Sequence, residues 1–102
     1  MKITKLGTES DGTRNFEIDT NTVSYRALLR YIRKIPGAII TKARHHPITD
    51  DALIIVRYKE ITIEIDTPFS DYVIHCTSSS EAFDEFVSKL SSYHVKWWER
   101  IT

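Results

Sequence analysis

Cysteine is nearly absent from this chain. Cys76 is the only one in 102 residues, which excludes an internal disulfide and any multi-cysteine metal site, and fits a reducing cytoplasm. Glycine and proline are scarce, three of each, and no glycines fall in a G-x-G-x-x-G or phosphate-loop pattern. Long apolar runs are missing too: the longest, Ala52 to Val56, is far too short to span a bilayer. Met1-Lys2-Ile3-Thr4 opens directly on a strand-like pattern with no apolar leader segment, so a cytoplasmic location is expected. Net charge is absent as well, whereas domains that bind nucleic acid are usually basic as a whole.

What the chain does have is a divided charge. Residues 1–46 carry nine basic and four acidic side chains, and residues 47–102 carry five basic and ten acidic ones. A split of this kind points to a charged partner, unless the two halves neutralise each other across the fold. The length suits one domain over residues 1–102, and 41% hydrophobic residues suffice for a core.

Hydrophobic periodicity predicts the elements. Ala52 to Tyr58, Ile61 to Asp66 and Tyr72 to Thr77 are rich in β-branched and aromatic residues and read as three antiparallel strands in succession. Their first connection, Lys59-Glu60, lacks the Asn-Gly or Gly-X chemistry of a tight hairpin, so its register stays open. Lys2 to Leu6, Thr13 to Ile18 and Ala38 to Arg44 add shorter strand patterns. Tyr25, Leu28, Leu29, Ile32 and Ile35 form one helical stripe, with Thr22 or Ser24 as cap and Pro36-Gly37 as stop. A second stripe runs from Phe83 to Ile101, with a possible break at Ser91-Ser92, and one of Trp97 and Trp98 is expected in the core. The expected fold is α+β: an antiparallel sheet of about five or six strands with two helices packed on one face.

Side chains capable of chemistry are present but poorly matched. His45 and His46 are adjacent in an extended stretch and point to opposite sides, so they do not share a metal. The same holds for His75 and Cys76, which rules out a simple Cys–His pair on that strand. No metal site, no cofactor and no catalytic set is expected. Arg26, Arg30, Arg33 and Lys34 form a basic face on the first helix, and Lys42 and Arg44 could extend it toward phosphates. Asp50, Asp51, Glu60, Glu64, Asp66 and Asp71 all belong to the three-strand meander or its turns. With Tyr58 as an aromatic anchor, they are expected on the solvent side of the sheet as a partner-binding surface.

The strand-first start at Met1-Lys2-Ile3, the Ile61-to-Asp66 strand with outward carboxylates and the aromatic-rich closing helix Phe83 to Trp98 together resemble a class of proteins. These are the small bacterial immunity proteins that accompany contact-dependent growth-inhibition and other polymorphic toxins. That resemblance implies a cytoplasmic, non-enzymatic inhibitor binding one cognate toxin, often a nuclease, and assigns no residue roles. The alternative is a small nucleic-acid-binding or nuclease module using the basic helix face with His45 and His46. A third possibility is a homo-oligomer joined at the meander's edge or at Trp98.

Overall fold

A computed structural model of the chain describes residues 1–8, 14–19, 22–46, 48, 51–67, 71–76 and 81–100. Among them, β1 (Ile3–Thr8), β2 (Arg14–Ile18), β3 (Ala38–His45), β4 (Ala52–Tyr58), β5 (Ile61–Asp66) and β6 (Tyr72–Cys76) form one antiparallel sheet in the order β1-β2-β6-β5-β4-β3. Helix α1 (Tyr25–Lys34) carries the chain from β2 to the far edge at β3, and the meander β3 to β6 then returns to pair with β2. Helix α2 (Glu81–Ser91) follows β6. This is the expected α+β fold, with six strands.

Alternation decides which side of the sheet is covered. Ala52, Ile54, Val56 and Tyr58 on β4, Ile63 and Ile65 on β5, and Tyr72, Ile74 and Cys76 on β6 are buried in one cluster. Residues Ala27, Leu28, Tyr31, Ile32 and Ile35 of the first helix region join the same cluster, as do Phe83, Phe86, Val87 and Leu90 of α2. Both helices therefore cover one side, and the residues between the buried ones face outward from the other. Among the described residues no helix is long and apolar enough to cross a membrane.

The α1 cap is Ser24, whose Oγ accepts from the Ala27 N–H at 3.2 Å, and Arg33 and Lys34 occupy the last turn, where the helix dipole favours cations. Gly37 then takes φ 86°, a left-handed conformation that glycine adopts without steric cost. The buried side of α1 includes Tyr31, while Tyr25 and Leu29 are only partly covered.

The Lys59-Glu60 connection is a two-residue hairpin turn. Tyr58 pairs with Ile61 across it, and Lys59 supplies the positive φ, 54°, that such turns need. At the other end of the chain the stripe expected from Phe83 to Ile101 breaks at Ser91-Ser92, the break the sequence allowed for, and Ile101 lies outside the described residues. The α2 helix ends at Ser91, where the Ser91 hydroxyl donates to the Ser88 carbonyl at 2.9 Å and that of Ser92 to the Lys89 carbonyl at 2.6 Å. A separate 3-10 turn, Trp97–Arg100, follows. Val95 and Glu99 take the inward places, and neither tryptophan is core: Trp97 is 71% exposed and Trp98 46%.

Strand β3 carries a bulge between Ile40 and Lys42. Ile40 pairs with the buried Val56, but past the bulge Lys42 pairs with Ile55 and Arg44 with Leu53. One extra residue reverses the facing of everything after it. Lys42 and Arg44 consequently lie on the open side of the sheet, and Ala43 and His45 on the helix side. His45 stacks there on Tyr25, with ring centroids 4.7 Å apart.

Candidate protein-docking face

The open side of the sheet can be described row by row from the strand register. One row runs Thr4, Glu17, Val73, Asp66, Leu53, Arg44 from β1 to β3. The next runs Asn15, His75, Glu64, Ile55, Lys42 from β2 to β3. Carboxylates thus gather on β2 and β5, an aliphatic strip lies on β4, and cations line the edge strand. Asp19 and Asp71, just beyond the first row, extend the acidic region.

Like charges crowd at that end. Glu17 and Asp71 are close enough to share a hydrogen bond, and this bond, ahead of partial desolvation and the negative charges of Asp71 and Asp19, pushes the Glu17 carboxyl above its ordinary range. Asp66 has His75 Nε2 at 3.8 Å. No salt bridge joins Lys42 or Arg44 to Glu64 or Asp66; the aliphatic β4 strip separates them by two strand spacings, roughly 10 Å.

The six acidic residues expected on one surface are only partly united. Glu64 and Asp66 share the open side of β5, while Asp71, just before β6, is approached by Glu17 from a strand that is remote in the chain. Asp51 precedes β4 and Glu60 follows it, so the length of that strand separates them. Asp50 lies outside the described residues. The assignment of Tyr58 to this face is corrected: it is 1% exposed on the helix side, against Phe86, because it shares the alternation of Ile54 and Val56. Its hydroxyl donates to Glu85 Oε1 at 2.6 Å, and Lys59 and Lys89 pair with the same carboxylate at 2.8 and 3.0 Å. Lys59 first, then Tyr58 and Lys89, draw the Glu85 carboxyl down to about 2.

The basic set is likewise divided. Arg26 and Arg33 are exposed on α1. Arg30 is paired at 3.1 Å with Glu99, and Lys34 lies over the Tyr31 ring at 4.8 Å. Lys42 and Arg44 face the opposite side of the sheet and do not extend the α1 face. Glu99 also accepts from the Tyr31 hydroxyl at 2.6 Å, and this bond leads the interactions that hold its carboxyl down to about 2. Burial in turn pushes the Tyr31 phenol up to about 12.

Arg44, His45, His46, Asp51, Ala52 and Leu53 line an open cleft at one end of β3 and β4. Its two histidines are engaged with the fold, His45 on Tyr25 and His46 Nδ1 accepting from the Ile48 N–H at 3.3 Å. Cys76 is buried and His75 faces outward, as alternation requires. Cross-strand pairing draws one group close together on this face: Glu64, Asp66 and His75 bring one donor atom each within 4.8 Å of one another. Those donors are of the type that binds a divalent cation, although surface carboxylates commonly cluster without one. Comparison of the chain with protein-family models, with curated proteins and with solved structures found no match.

Proposed function

We propose that this chain is a non-catalytic, protein-binding domain of the immunity type, which neutralises a cognate bacterial toxin by occluding its cationic working surface. The observation that carries the proposal is the acidic end of the open face: Glu17 and Asp71 crowd each other, and Glu64 and Asp66 continue the negative surface on β5. A site that holds like charges together is relieved when opposite charge arrives. A nuclease presents such charge wherever it grips phosphates, so the acidic end would steer encounter and then cover that grip. The patch is smaller than six carboxylates and has no Tyr58 anchor. Val73, half-buried between Glu17 and Asp66, supplies apolar contact instead.

The test is co-expression with the polypeptide encoded immediately upstream of this chain. Growth arrest by that polypeptide alone, relieved by the wild-type chain, is the expected result. Loss of relief with Glu64→Lys and Asp66→Lys in a chain that still folds supports occlusion through this face. Undiminished relief removes the face from the mechanism. The nucleic-acid alternative is met by a gel shift at low salt: no binding is expected, because the basic residues are divided between two sides of the sheet. Salt-sensitive retention at micromolar protein would favour that alternative.

A further inference from the structure

The open face has a second property that a uniformly basic partner does not use. Across β3, β4 and β5, two adjacent rows read cation, aliphatic, carboxylate: Arg44, Leu53, Asp66 and Lys42, Ile55, Glu64. The order is the same in both rows, so the three-strand patch is a dipole with an apolar middle. We propose that this patch pairs with a second copy of itself, the two molecules being related by a two-fold axis that runs along β4.

The geometry follows from the register. Rotation by half a turn about β4 exchanges the two flanking strands, so β3 of one molecule lies over β5 of the other. Arg44 then meets Asp66 of the partner subunit, Lys42 meets the partner's Glu64, and both contacts repeat by symmetry. Leu53 and Ile55 lie on the axis and meet their own copies. This is an isologous contact, in which one surface is its own complement. Within one molecule Lys42 and Arg44 stand too far from Glu64 and Asp66 to pair, and the carboxylate of Asp66 has the His75 Nε2 at 3.8 Å; across the interface the two cations meet the two carboxylates.

The same arrangement argues against a basic protein at this position, because Lys42 and Arg44 would repel it. A basic partner fits the β2 and β6 end, where Glu17 and Asp71 lie, while a second copy fits the β3 end. Both use Glu64 and Asp66, so the two associations exclude each other, and neither proposal rests on the other. Two features limit the strength of the pair. The patch is three strands wide, which belongs with small, transient interfaces. Arg57 also faces its own copy at one end, level with Ile39, which is 61% exposed.

Sedimentation of the full chain over a wide concentration range tests the proposal. Concentration-dependent dimerisation that weakens as salt is raised is expected. Lys42→Glu with Arg44→Glu, and separately Glu64→Lys with Asp66→Lys, are each expected to weaken self-association by roughly tenfold or more. An equimolar mixture of the two variants is expected to recover a one-to-one complex, which general damage to either chain would not allow. Circular dichroism verifies that both variants fold. A wild-type chain that stays monomeric at the highest concentration overturns the proposal, and so does failure of the folded variants to recombine. Glu17→Lys with Asp71→Lys lies outside the patch. If that variant loses toxin relief and keeps the dimer, the two proposals are separated.

Discussion

The two sides of the sheet treat charge in opposite ways. On the helix side, Glu85 is held by Tyr58, Lys59 and Lys89, and Glu99 by Tyr31, Arg30 and the Lys96 backbone, and both carboxyls are drawn down to about 2. On the open side, Glu17 is pushed up by its acidic neighbour, and Lys42 and Arg44 stand across an aliphatic strip from Glu64 and Asp66. The covered side pairs its carboxylates with donors from the fold, whereas the open side spreads its charges into separate acidic and basic zones.

Neighbouring residues on β4 break that comparison most sharply. Ile54 is fully buried and Ile55 faces out. Ile54→Ala is expected to cost about 2–5 kcal/mol in denaturant unfolding, by lost transfer energy and the cavity left behind. Ile55→Ala is expected to stay near 0.5 kcal/mol while weakening self-association. Equal costs would mean that the outer side is structural too.

Acid titration is expected to give the next largest effect. A carboxyl with a depressed folded pKa stabilises the fold above its ordinary range, near 4.5, and loses that contribution as pH falls toward 2. The unfolding midpoint should therefore drop across this window, with a shallower drop in Glu99→Gln. Tyr31 provides the alkaline counterpart: its raised pKa keeps the neutral phenol in the fold, so stability should fall as pH rises from about 10 to about 12. Glu17 has the opposite sign to Glu85. Because its folded pKa is raised, Glu17→Gln should leave the unfolding midpoint unchanged or raise it, whereas Glu85→Gln should lower it. The smallest effect is expected at Trp97, where replacement by alanine should change stability by no more than about 0.5 kcal/mol because the side chain is mostly in solvent.

Much of this architecture was legible in the sequence because it is written in local periods. The alternation of Ile61 to Asp66 and the stripe through Leu28, Ile32 and Ile35 are enough for strands, helix and covered side. Tyr58 was legible too, two residues beyond Val56, and its placement on the outer face ignored that spacing. The β3 bulge was not legible: no glycine marks it, and it alone turns Lys42 and Arg44 away from the α1 side. Nor was the approach of Glu17 to Asp71, which depends on β2 pairing with β6 across most of the chain length. The close approach of His75 to Glu64 and Asp66 likewise depends on cross-strand register, although alternation alone turns His75 away from the buried Cys76 and outward. The break at Ser91-Ser92 was legible as a polar interruption of the stripe, and its cause is that both hydroxyls turn back onto the helix.

The most direct test of the docking account is the association rate of the upstream-encoded polypeptide with the wild-type chain and with the folded Glu17→Lys, Asp71→Lys variant at low salt. A rate reduced by roughly tenfold or more in the variant, with the difference shrinking as salt is added, is predicted. Equal rates for the two chains at every salt concentration would contradict it.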